Sequence, residues 1–166
     1  SDLLLWWKLD GNADDSSGSA NHGTTSNPDW NSSGKFDSSL SFDLSNGRSV
    51  THAGLSADYP SVTLSAWVYP RHENFHIFQI ESEGLSWTLE KNRPLFSFAG
   101  ISQSYLLGEN EDEIHARGYL PLHQWTHLAL SYDLNSRTVQ LFLNGEPDIA
   151  SSFSSSSVFP LSSPFR

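Results

Sequence analysis

At 166 residues, with 37% hydrophobic and 13% aromatic content, the chain can enclose one sizeable core but hardly two, so a single domain over 1–166 is expected. The absence of cysteine excludes a disulfide-stapled scaffold and leaves stability to the packed interior and to any bound ion. Nineteen Asp and Glu against nine Lys and Arg give a net charge of -10, which disfavours nucleic acid and anionic membrane as partners and suits hard cations such as calcium.

The first apolar run, Leu3-Leu4-Leu5-Trp6-Trp7, is far too short to span a bilayer and leads into polar turn residues rather than a cleavage site, so no membrane insertion is expected. A start at Ser1 fits removal of a leader and fits an arbitrary boundary equally. Short strand candidates follow at Leu3 to Leu9, Leu40 to Phe42, Arg48 to His52, Val62 to Tyr69, His76 to Ile80, Leu85 to Glu90 and Leu95 to Phe98, and then at Thr126 to Asp133 and Thr138 to Leu143. Gly, Asn, Asp, Ser or Pro separate them, and no stretch holds a helical period, so the class is all-β. Asn144-Gly145 reads as a hairpin turn. The serine-dominated run Ser151 to Ser157 favours a mobile or surface segment over a packed strand. The Asn31-Ser32-Ser33 sequon carries little weight in a serine-rich chain.

Three clusters could carry chemistry. In Asp10-Gly11-Asn12-Ala13-Asp14-Asp15 the Asp-x-Asn-x-Asp spacing lets the oxygens of Asp10, Asn12 and Asp14 converge on one calcium, with Asp43 as a weaker contributor. The loop is not an EF-hand, since Asp15 replaces the required glycine and Asn21 the bidentate glutamate; a solvated Asx-rich turn is the competing reading. His72-Glu73-Asn74-Phe75-His76 matches H-E-x-x-H, but that pattern binds zinc only on a helix. Strand-like residues flank it, and on a strand the two histidines stand about 13 Å apart, which favours a connecting loop. The same argument removes the pair His123 and His127. Glu109-Asn110-Glu111-Asp112-Glu113 invites comparison with the E-x-D-x-E strand of beta-glucanase-type glycosidases. Polar Asn110 and Asp112 between the glutamates point instead to a solvated acidic loop. Nucleophile elbows, Walker loops, dinucleotide fingerprints and cysteine nucleophiles are absent from the sequence.

The strand Ser61 to Pro70 places Val62, Leu64, Ala66 and Val68 on one face and Trp67 and Tyr69 on the other. Along Trp125 to Asp133, Leu128, Leu130 and Tyr132 oppose Trp125, His127 and Ala129. Trp67, Tyr69 and His127 are therefore candidate ligand-binding residues, because aromatic planes can stack on sugar rings; the alternative is that loops cover them as part of a second, smaller core.

The strand Trp125-Thr126-His127-Leu128-Ala129-Leu130-Ser131-Tyr132-Asp133 and the segment Leu141-Phe142-Leu143-Asn144-Gly145 together form a W-x-H-x-A-x-x-Y-D strand, a turn and an L-F-x-N-G strand. Upstream come Trp7-Lys8-Leu9-Asp10-Gly11, Asp15-Ser16-Ser17-Gly18, Asn21-His22-Gly23-Thr24 and Leu40-Ser41-Phe42-Asp43, in the same order. This resembles the laminin-G-like branch of the concanavalin A-like jelly rolls over nearly the whole chain. The resemblance implies an antiparallel β-sandwich jelly roll, a structural calcium near the first loop, and binding rather than catalysis. The family's closing Gly-x-Ile-Asp-Asp-type strand has no counterpart before Phe165-Arg166. The expectation is thus a jelly roll short of its final strand, with an unpaired edge met by further domains or a neighbouring chain. The functional expectation is a non-catalytic module, secreted or at the cell surface, that recognises glycan or extracellular protein. A structural unit of an adhesin, fibre or similar assembly and a jelly-roll glycoside hydrolase or lyase are the alternatives.

Overall fold

The computed structural model describes residues 3–42, 47–98, 113–153 and 158–166. Among them lie twelve strands, a 3-10 turn at Glu81–Glu83 and no α-helix, in keeping with the all-β reading. Two short antiparallel pairs come first: β1 (Thr24–Ser26) with β4 (Ser49–Thr51), and β2 (Asp29–Asn31) with β3 (Ser39–Ser41). The rest forms two four-stranded antiparallel sheets. One runs in the order β12 (Glu146–Ser152), β11 (Thr138–Leu143), β10 (Thr126–Asp133), β5 (Ser61–Val68). The other runs β6 (Phe75–Ile80), β7 (Leu85–Glu90), β8 (Arg93–Phe98), β9 (Glu113–His115).

The period-two pattern sets the faces of both sheets. On β10, Thr126, Leu128, Leu130 and Tyr132 are buried while His127, Ala129, Ser131 and Asp133 are only partly covered. On β7, Leu85, Trp87 and Leu89 are buried in the same alternation. The inner faces join in one core with Phe96, Phe98, Val139 and Leu141, and each fully buried Leu or Phe there contributes about 1.5 to 3 kcal/mol. A smaller cluster of Ala13, Leu40 and Val50, flanked by Trp7, Leu9 and Trp30, holds the N-terminal segments together.

Turn chemistry fixes the registers. Asn144 and Gly145 both have positive φ (51° and 85°), the geometry of a type I′ hairpin turn between β11 and β12. Lys91 and Asn92 (50° and 65°) close the β7–β8 hairpin in the same way.

Two segments depart from the sequence expectation. Leu3 to Leu9 is not a strand: Trp7 makes one bridge, to Asp15, and a side chain supplies the backbone partner at Trp6, whose N–H donates to Asp15 Oδ1 (2.8 Å). The serine run is partly a strand, since Ser151 and Ser152 end β12 opposite Val139 and Thr138. The apolar alternation that would have marked β12 is broken by Pro147, which sits at a register shift opposite Phe142 on an edge strand, where a missing N–H is tolerated.

Residues 158–166 thread back through the fold. Tyr59 and Phe159 exchange two backbone hydrogen bonds, as do His52 and Phe165, and Gln79 and Arg166. Phe159, Leu161 and Phe165 are buried, and Arg166 meets the backbone of β6 along an edge of its sheet.

Candidate functional site

The outer face of β5 and β10 carries a strip of aromatic rings. In the β5–β10 register Trp67 stands opposite His127, their rings 5.1 Å apart. One step further, Tyr69 packs against Trp125 at 5.4 Å and against His123 at 6.2 Å. The β2–β3 connection, residues 32–38, lies over one end of the strip. It brings Phe36 edge-on to Trp67 at 6.0 Å and sets Lys35 Nζ over the Trp67 ring at 4.4 Å. Trp67 keeps 39% of its surface accessible, Tyr69 42% and Phe36 76%. An open cleft lined by β5, residues 33–42 and residues 3–10 runs past these rings.

The sequence-predicted ligand residues Trp67, Tyr69 and His127 are therefore together on one face. Lys35 and Phe36 escaped sequence reading because they lie about thirty residues upstream in a loop of no period, and only the β2–β3 hairpin delivers them. Gly34 allows that delivery: a Cβ there would come 2.0 Å from the Ser38 carbonyl oxygen, while its N–H donates to the Asp37 carbonyl.

The first loop is held by side-chain to backbone hydrogen bonds. Asp10 Oδ1 accepts from the Ser38 N–H (3.2 Å), and Asn12 Oδ1 accepts from the Asp14 N–H (3.1 Å) as an Asx turn. Asp14 Oδ1 faces His22 Nδ1 at 3.6 Å. Among the described residues no group of three or more Asp, Glu or His side chains is placed together to hold a metal. Asp43 lies outside the described residues. The residue that sequence reading passed over, Asp15, is the centre of the loop. Its Oδ1 accepts from Trp6 and Ser17 N–H groups, and its Oδ2 from the Ser17 hydroxyl (2.7 Å) and the Asn21 N–H (3.0 Å). Burial alone would raise this carboxyl, but the donors of Ser17, Trp6 and Asn21 outweigh it and hold it well below the usual carboxylate range.

The H-E-x-x-H segment lies where its flanking residues suggested. His72, Glu73 and Asn74 occupy the connection before β6, with Phe75 and His76 opening that strand, so H-E-x-x-H is not on a helix. Of the acidic run, Glu113 begins β9 with Oε2 3.3 Å from His115 Nε2, and Glu109, Asn110, Glu111 and Asp112 lie outside the described residues.

Solved structures share this architecture at low sequence identity. Domain 4 of AbnA, an extracellular GH43 arabinanase of Geobacillus stearothermophilus solved with arabinotriose, superposes with a TM-score of 0.72 at 17% identity, over 98% of this chain and 81% of that one. A putative carbohydrate binding protein of Bacteroides ovatus gives 0.55 at 15% identity, over 86% of this chain and 35% of that one. Domains LG4-5 of the mouse laminin alpha1 chain give 0.52 at 10%, over 67% and 28%. This chain thus spans about a third of the length of the last two. No curated protein matches the sequence. The sequence-level link is to a family: residues 43–166 match the laminin-G-type model of the concanavalin A-like lectin/glucanases, and the chain belongs to that superfamily.

Proposed function

We propose that this protein is a non-catalytic binding module, secreted or displayed at the cell surface, that recognises glycan through the aromatic strip of β5 and β10. The observation that carries the reading is the pairing of Trp67 with His127 and of Tyr69 with Trp125 on one accessible face. The rings, tilted by 51° and 56° within the two pairs, offer accessible apolar surface to the C–H groups of a sugar, and the imidazoles offer polar contacts to hydroxyls. The presence of arabinotriose with the arabinanase domain supports a saccharide over a protein partner. Titration of oligosaccharides followed by tryptophan fluorescence tests it. Trp67→Ala and Tyr69→Ala each should weaken binding at least about tenfold, corresponding to about 1.4 kcal/mol, with the melting temperature nearly unchanged because both rings are outside the main core. Unaltered affinity in both variants would move the site elsewhere.

A further inference from the structure

Resting on the glycan reading, we infer that the saccharide is acidic, carrying carboxylate or sulfate groups along the cleft beside β5. Charge is distributed unevenly in this protein. Although carboxylates outnumber Lys and Arg about two to one in the chain, Lys8, Lys35, Arg48, Arg71 and Arg166 all line the cleft. Among the described residues only Asp10, Asp37 and Asp133 are carboxylates doing so. Two of these are engaged: Asp10 caps the Ser38 N–H, and Asp133 is bound by Ser61, Ser136 and Asn135. Asp133 also lies six residues along β10 from His127, about 20 Å at ~3.3 Å per residue. Arg48 and Arg166 are paired with Asp29 and Glu81.

The positive groups nearest the rings are the informative ones. Lys35 holds its ammonium on the face of Trp67, and Arg71, two residues beyond Tyr69, is steadied by a hydrogen bond from Nη2 to Ser41 Oγ (2.9 Å). A sugar stacked on Tyr69 and Trp125 would have Lys35, over the neighbouring Trp67, and Arg71, two residues beyond Tyr69, available to its acidic substituents, replacing long-range repulsion by a net charge of -10 with local charge-assisted hydrogen bonds. A neutral sugar would gain the stacking and leave these cations unused.

The full chain is applied to an array of neutral glycans printed beside their uronate-, sialate- and sulfate-bearing counterparts, and the strongest matched pair is then titrated. The acidic member should bind at least about fivefold more tightly, an advantage that shrinks in high salt and in Lys35→Gln, and both members should be lost in Trp67→Ala. Lys35 is exposed, so Lys35→Gln should keep the wild-type melting temperature and a change in its binding reports charge alone. Equal or tighter binding of the neutral member, still dependent on Trp67, overturns the acidic class and leaves the glycan reading standing. No glycan bound, or binding indifferent to Trp67→Ala, overturns both.

Discussion

Asp15 shows how one carboxylate can organise the segment from Trp6 to Asn21. Its two oxygens take four donors from Trp6, Ser17 and Asn21, and they replace the strand pairing that residues 3–9 lack. Asp15→Ala should therefore cost about 2 kcal/mol in chemical denaturation, since several donors lose their acceptor together. Asp133 plays a similar part at the β10–β11 turn, where hydrogen bonds from the Ser136 and Ser61 hydroxyls and the Asn135 N–H lower its carboxyl from the ordinary 3.8 to about 2. Both groups have depressed values when folded, so the stability they add is complete above the ordinary carboxylate range. It is lost as pH falls through about 3.8 toward 2. Melting temperature measured against pH should be flat down to about 4 and drop below it, and Asp133→Asn should flatten part of that drop.

Elements with a clean period were legible in the sequence: β10 and β11 match their predicted limits residue for residue, because Leu128, Leu130 and Tyr132 or Val139 and Leu141 alternate without interruption. β1, β2 and β9 were not legible, being three residues long with a single inward residue or little apolar signal. The binding face was half legible for the same reason. Trp67, Tyr69 and His127 announce themselves by alternation on their strands, whereas Lys35 and Phe36 owe their place to the β2–β3 hairpin and to the space Gly34 leaves. Gly34→Ala should accordingly displace that loop, raising solvent quenching of Trp67 and weakening glycan binding several-fold while the two main sheets keep their far-UV spectrum. Gly145→Ala acts on a different element. At φ 85° it should cost about 1 kcal/mol by straining the β11–β12 turn.

At the scale of the whole molecule, the first loop bears on the question of calcium. Since Asp10 and Asn12 already serve protein N–H donors, we expect thermal unfolding of EGTA-treated protein to be unmoved by added calcium; a rise abolished by Asp10→Ala would return a cation to the loop. The threading of residues 158–166 has a consequence in time rather than in energy. Tyr59 meets Phe159, and His52 meets Phe165, across roughly a hundred residues of chain, so these pairings must await the collapse of everything between them. Refolding should be slow, in milliseconds to seconds, with Phe159, Leu161 and Phe165 the last buried. Until they dock, the space they fill among residues 52–59, β6, β8 and β10 is open. That interval is when an unfinished molecule is most exposed to capture by another, and dilution or a chaperone should improve recovery far more than any change to the finished surface.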